Sequence, residues 1–217
     1  MTTTSPKTIP LLENGDRLTR YEFERRYTAM PHRERGSNKA ELIESIVYMA
    51  SPLRFESHAQ PHGNIIGWLW NYQITTAGVM LGIEPTVRLD LDNEFQPDAV
   101  MFIPGEGASI TEDDYIEGAP ELVVEIAAST VSIDLHDKKS AYRRNGVREY
   151  IVWRTLDREI DWFCLQDGEY IRLELDENGI IKSQVFPGLW FAVEPMLSGS
   201  MADVLAVLRS GLNSIDR

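Results

Sequence analysis

Residues 121–130, ELVVEIAAST, constrain the fold more than any other stretch of the 217-residue chain. Leu122, Val123, Val124, Ile126 and Ala127 make a short apolar run of the kind that becomes a buried strand. Glu125 stands inside it. A lone carboxylate in low-dielectric surroundings is unfavourable unless it is paired, protonated or bound to a metal ion. Whatever the chain folds into must give Glu125 one of these three.

The neighbouring sequence supplies the rest of a sheet. EPTVRLDLD, PDAVMFIP and PELVVEIA read as successive strands, and EYIVWR as another after SIDLHDKKSAYRRNG. That intervening segment reads as a helix, with Ser132 as N-cap and Gly146 where a C′ glycine belongs. Upstream, LTRYEFERRYTAM has Leu18, Phe23 and Tyr27 at helical spacing and Thr19 as N-cap. RERGSNK then reads as a polar loop and ELIESIVYM as a strand. HGNIIGWLWNYQITTAG has an apolar stripe at 65, 66, 69, 70 and 74 that ends near Gly78. Downstream, REIDWFCLQ, EYIRLELD and IIKSQVF predict strands joined by turns at DG and DENG, and MADVLAVLRSGL predicts a closing amphipathic helix. Strands flanked by helices predict an α/β fold, a mixed β-sheet with helices packed on it. No repeat, low-complexity tract or Gly/Ser linker divides the chain, so one domain is expected over 18–217, behind a flexible tail over 1–17.

Composition narrows the setting. With 43% hydrophobic and 25% charged residues the chain is an ordinary globular protein. No apolar run approaches the roughly 20 residues that span a bilayer, so no membrane association is expected. MTTTSPKTIP lacks the apolar core of a signal peptide, and the single Cys164 leaves no internal disulfide; both fit a cytoplasmic protein. Cys164 lies in a strand-like run and reads as core. The net charge of −13 argues against a basic surface coat for nucleic acid, but the charge is uneven. Between Glu84 and Glu125 twelve acidic residues meet one basic residue, Arg88, which suits cation binding. Seven basic against four acidic residues over 132–158, and seven against three over 17–39, suit contact with phosphates. A solvated surface with random patchiness explains the same numbers.

Three residues carry the chemistry. Asp98 follows Pro97 at the start of an apolar strand, Glu125 comes 27 residues later in the next strand, and Lys138 comes 13 beyond that in the helix. Adjacent strands can bring Asp98 and Glu125 side by side. Two converging carboxylates then need a proton or a divalent cation, and oxygen-only ligands favour Mg²⁺ or Mn²⁺ over zinc. A nearby ammonium can orient an attacking water or stabilise charge developing on a phosphate. Asp134, Lys138 and Tyr142 are spaced i, i+4, i+8 and fall along one side of the helix, from which the lysine can reach the sheet. An ordinary amphipathic helix with an exposed acid–base pair has the same spacing, and Asp98 also suits a turn after proline. On the residues alone both readings stand.

PDAVMF, GAPELVVEIAAST, Asp134, Lys138, Tyr142 and NGVREYIVW together resemble the Uma-two family of restriction-endonuclease-like proteins, within the PD-(D/E)XK nuclease superfamily. ELIESIVYMASP resembles that family's early strand, HGNIIGWL its following helix and PGLWFAV its C-terminal segment, so the likeness runs from about Leu18 to Leu197. It implies a restriction-endonuclease-like core and a Mg²⁺- or Mn²⁺-dependent endonuclease acting on DNA. Asp98 and Glu125 are then the metal ligands, and Lys138 completes the catalytic set. The superfamily's usual lysine stands two residues after the acid, where this chain has Ala127. The family pattern places it in the helix instead, at Lys138; Lys139 points about 100° away around the helix. Glu41 matches a family acid that either completes the metal shell or serves as a salt-bridged strand end. His62 matches a recurrent histidine at the helix start, read as a cap or packing residue rather than a ligand.

Two departures from the pattern stand out. Glu44, Ser45 and Ile46 replace a DG followed by an acid, which alters the expected turn. Ile151 follows Tyr150 where the family reads EYW, a change of packing. Cutting both strands of DNA calls for two sites, hence a homodimer. The acidic charge favours the alternative of a nuclease-fold module that binds nucleic acid or protein without cleaving, and another phosphodiester substrate is a third reading.

Other motifs carry less. His58 and His62 are four apart, a chelating spacing on a helix, but Pro61 between them places the helix start after His58. Ser129 and Thr130 have only His136 nearby, and neither GxSxG nor GxxxxGK occurs. Trp68 and Trp70 are expected to split between core and surface; with Tyr72 they suit core filling better than base stacking.

Overall fold

The computed structural model describes residues 9–31 and 39–215; the start of the tail and all but the last residue of RERGSNK lie outside the described residues. The apolar run forms β9 (Leu122–Ala127), buried at all six positions. With β3 (Met80–Ile83), β6 (Ala99–Phe102), β10 (Glu149–Arg154), β11 (Glu159–Gln166) and β12 (Glu169–Arg172) it makes a six-stranded sheet, ordered β12-β11-β10-β9-β6-β3. β9 and β10 pair in parallel and the other neighbours antiparallel. A parallel pair needs a crossover, and the predicted helix makes it.

Both faces of this sheet are covered, which is why β9 shows no polar alternation. Leu122, Val124 and Ile126 pack with Ile65, Trp68 and Leu69 of α2 (55–73), and with Val204 and Leu208 of α5 (Met201–Ile215). Val123 and Ala127 pack with Tyr142, Val147 and Tyr150 on the other side. Each such aliphatic side chain contributes roughly 1.5–3 kcal/mol by leaving water. Trp68 is in the core, edge-on to Trp162, whereas Trp70 is exposed; Tyr72 and Cys164 are buried.

Two helices contain a widened turn. α2 opens as a π-turn over Phe55–Ala59 and continues as α-helix over Gln60–Gln73. Its start therefore precedes Pro61, contrary to the sequence expectation. Pro61 has no N–H for the carbonyl four residues back, and that carbonyl, on Ser57, instead accepts the Thr155 hydroxyl at 2.8 Å. α3 runs as α-helix over Val131–Ile133, π-turn over Asp134–Lys138 and α-helix over Lys139–Asn145. Gly146 ends it in the expected left-handed conformation, φ 86°. Thr130, not Ser132, precedes its first residue, and the Thr130 hydroxyl is spent on Asp134.

A second sheet joins β1 (Ala40–Ile43), β2 (Ile46–Met49), β4 (Val87–Arg88), β5 (Glu94–Phe95), β7 (Ala108–Ile110) and β8 (Ile116–Gly118) in the order β2-β1-β5-β4-β8-β7. ELIESIVYM, expected as one strand, is the β1–β2 hairpin. Its turn residues Glu44 and Ser45 sit at φ 51° and 63°, a region that disfavours both. External partners hold them there: Glu44 N donates to Asn93 Oδ1 (2.9 Å) and the Ser45 hydroxyl to Asp92 (2.6 Å). EPTVRLDLD is likewise cut short at Arg88, because Asp90 bends the chain by accepting from Asp92 N and Asn93 Nδ2.

α1 (Arg20–Ala29) is capped by Thr19, whose hydroxyl accepts from Glu22 N. Ahead of it, part of the expected tail packs on the hairpin: Leu12 is buried and Gly15 N donates to the Val47 carbonyl at 2.8 Å. β13 (Ile180–Lys182) and β14 (Trp190–Ala192) form a small ribbon that leads into α4 (Val193–Ser198) and α5. Among the described residues no helix is long and apolar enough to cross a membrane.

Candidate active site

Glu125 is 4% exposed, and its partner is an ammonium. Lys138 Nζ donates to Glu125 Oε1 at 3.0 Å, and the Tyr142 hydroxyl donates to the same oxygen at 2.9 Å. The lysine is shared: its Nζ lies 2.9 Å from Glu41 Oε2 on β1 and 3.7 Å from Asp134 Oδ1. The cluster thus joins β9, α3 and the second sheet. Four-residue spacing overshoots a full α-helical turn by about 40° per step, and the π-turn between Asp134 and Lys138 winds part of that back. Asp134, Lys138 and Tyr142 consequently face the sheet together, all buried. Of the two placements the spacing allowed, the acid–base pair takes the interior one.

The charges do not balance. Three carboxylates surround one ammonium, and surplus buried negative charge is relieved by a proton or a cation. Burial, reinforced by Asp134, Glu41 and Asp98, pushes Glu125 up to about 8 although Lys138 pulls it down. Asp134 is raised for the same first reason, burial. Burial alone would discharge Lys138, but Glu125, Glu41 and Asp134 hold it well above the ordinary lysine value. Burial and the Glu125 charge raise Tyr142 far above the usual phenol, so it remains a hydrogen-bond donor.

Asp98 stands in a different setting. The β6–β9 pairing sets Ala99 opposite Val124 and Val100 opposite Val123; one step further puts Asp98 opposite Glu125. Its Oδ2 accepts the Ile126 N–H at 2.7 Å, while Oδ1 lies 3.1 Å from His58 Nε2. Burial acts to raise Asp98, but the His58 hydrogen bond and charge, with Lys39 and the Ile126 N–H, outweigh it and lower the carboxyl. His62 Nε2 sits 2.9 Å from the Asp98 backbone carbonyl. Among the described residues, His58, His62 and Asp98 are the one group of three or more metal-ligating side chains whose ligand atoms all lie within 4.8 Å of one another. Glu125 and Glu41 fall outside that group.

The structure therefore brings Glu125, Lys138, Tyr142 and Glu41 into direct contact and sets Asp98 beside them in register. Glu41 meets the lysine and the Gln96 N–H (2.8 Å), the strand-end salt bridge that its sequence also allowed. Two residues that the sequence named were not placed in the site. Asp134 was signalled by its spacing from Lys138, and His58 by its spacing from His62. The donor set fits a divalent cation on one observation: its buried carboxylates exceed the one ammonium available to them.

A mixed sheet whose central strands and crossover helix gather carboxylates around a lysine defines an α/β protein with a restriction-endonuclease-like core. The chain belongs to the Uma2 family, described as "Putative restriction endonuclease", whose pattern matches residues 22–194. Its fold is similar to the crystal structure of a protein from Anabaena variabilis described as "a putative nuclease belonging to DUF820". The TM-score is 0.64 at 15% identity, covering 83% of this chain and 98% of that one. No curated protein matches the chain.

Proposed function

We propose that this protein is a divalent-metal-dependent endonuclease that hydrolyses DNA phosphodiester bonds. The observation that carries the reading is the surplus of buried carboxylate over ammonium at Glu41, Glu125, Asp134 and Lys138, beside Asp98, in a member of this family. Asp98 and Glu125 would hold Mg²⁺ or Mn²⁺, which suits oxygen donors. When bound, such an ion polarises a phosphoryl oxygen and acidifies a water.

The chain's own groups have defined parts. Lys138 is held protonated, so it serves as an ammonium that orients the attacking water and stabilises charge on the phosphate, and not as a base. Glu41 and Glu125 fix its position, and Tyr142 fixes Glu125 Oε1. Glu41 and His62, the half-buried members, mark where solvent meets the cluster.

The test is nicking of supercoiled plasmid with Mg²⁺, Mn²⁺ or excess chelator, comparing the parent with an Asp98→Ala, Glu125→Ala double variant whose folding is checked by circular dichroism. Metal-dependent nicking that the variant lacks is the expected result. Metal binding in the parent without nicking of plasmid or single-stranded DNA would instead favour a non-cleaving module.

A further inference from the structure

We propose that His58, His62 and Asp98 form a second metal site, one that takes a borderline transition-metal ion (Zn²⁺ or Co²⁺) in preference to Mg²⁺. It deepens the nuclease reading only in that Asp98 is common to both sites.

The π-turn that begins α2 places both rings on one side, with centroids 5.8 Å apart at 70°. One ring nitrogen from each histidine and an Asp98 carboxylate oxygen lie within 4.8 Å of one another. Donors bound at about 2.1 Å in a tetrahedral shell are about 3.4 Å apart, so a modest contraction would gather them. His58 Nε2 and Asp98 Oδ1, at 3.1 Å, are already that close.

A second observation is independent of this spacing. His58 is 8% exposed, and its Nδ1 is buried without a hydrogen-bond partner among the described residues. Nε2, which faces Asp98 Oδ1, is then the ring's ligand atom, and a bound ion would take the place of that direct contact. His62 shows the support expected of a ligand, because its Nε2 meets the Asp98 backbone carbonyl at 2.9 Å and the ring orientation is thereby fixed.

Selectivity follows from donor type. Mg²⁺ prefers oxygen and keeps its water, whereas two imidazoles with one carboxylate suit zinc and cobalt. The set contains a single formal negative charge, unlike the surplus around Lys138. Asp98 would then be shared between an oxygen-ligated ion on its Glu125 side and an imidazole-ligated ion on its histidine side.

The experiment uses untagged, chelator-stripped full-length protein. Co²⁺ is titrated while its visible absorption is followed, and Zn²⁺, Mn²⁺ and Mg²⁺ are titrated by calorimetry. The parent, His58→Gln, His62→Gln and the surface control His136→Ala are compared, with thermal melting to confirm folding. The expected result is one Co²⁺ or Zn²⁺ site at least tenfold tighter than Mg²⁺, weakened tenfold or more by either glutamine variant and unchanged in His136→Ala. Equal Co²⁺ affinity in the parent and in folded glutamine variants would overturn the proposal. If both glutamine variants fail to fold, the parent alone decides: d–d bands of nitrogen-ligated Co²⁺ support the site, and all-oxygen spectra overturn it. Tight Co²⁺ without plasmid nicking would leave this site standing and sink the nuclease reading; nicking with no imidazole-ligated ion would do the reverse.

Discussion

Two acids at opposed register positions where β6 meets β9 are tuned in opposite directions. Glu125 sits among like charges and is raised to about 8, while Asp98 is lowered by a histidine and a backbone N–H. On the Glu125 side the protein supplies its own cation, Lys138, and still has negative charge to spare. On the Asp98 side it supplies two imidazole rings and leaves one ring nitrogen unpaired. Titratable neighbours whose surroundings push them apart commonly divide the labour of a reaction. Here the lysine side reads as the fixed electrostatic frame and the histidine side as the variable one.

Breaking the lysine side should have the largest effect. Replacing Lys138 by Met strands two buried carboxylates and the half-buried Glu41, and is expected to reduce stability by about 3–5 kcal/mol in urea denaturation, with part of it recovered by adding Glu125→Gln. A loss under about 1 kcal/mol would mean that charge does not hold the cluster together. Next, Asp98→Asn and Glu125→Gln should each slow Mn²⁺-dependent plasmid nicking by about 100-fold, equivalent to about 2.7 kcal/mol of barrier. Equal losses from the two would tie both sides to one reaction; an effect from only one would separate them. Tyr142→Phe removes a donor from a buried carboxylate oxygen while keeping the ring, and should lower stability by about 1–3 kcal/mol without loss of fold.

The same surplus of charge predicts a gradient with pH. A carboxyl raised in the folded state stabilises the fold below its unfolded value and ceases to do so as pH rises through its folded value. The metal-free protein should therefore lose stability between about pH 4.5 and pH 8 through Glu125. Asp98, lowered on folding, acts oppositely and costs stability only as pH falls below the ordinary aspartate range. Melting temperatures across that window should decline in the parent and flatten in Glu125→Gln. A parent profile that rises through the window would contradict the assignment.

The lysine side was legible because its signals are local: an acid inside an apolar run, and a helix with polar residues four apart. The strand pairing around β9 and the Gly146 terminus followed from the same kind of signal. What could not be read depends on partners distant in sequence. Glu44 and Ser45 make a turn that neither residue favours, held by Asn93 and Asp92 some fifty positions away. Asp134 belongs to a pattern normal for an exposed helix face, and its burial beside Lys138 and under Tyr150 appears only once the chain is folded. His58 was discounted because Pro61 signals a helix start, whereas Thr155 takes up the carbonyl that proline leaves free and the helix begins a turn earlier.

The most direct test of the central claim is anomalous diffraction at the manganese edge from crystals soaked in Mn²⁺. An ion contacting both Glu125 and Asp98 is the predicted result, with the Lys138 ammonium still close by. Density at the manganese edge that never touches Glu125, or none at all, would contradict it and leave the glutamate answered by Lys138 and a proton.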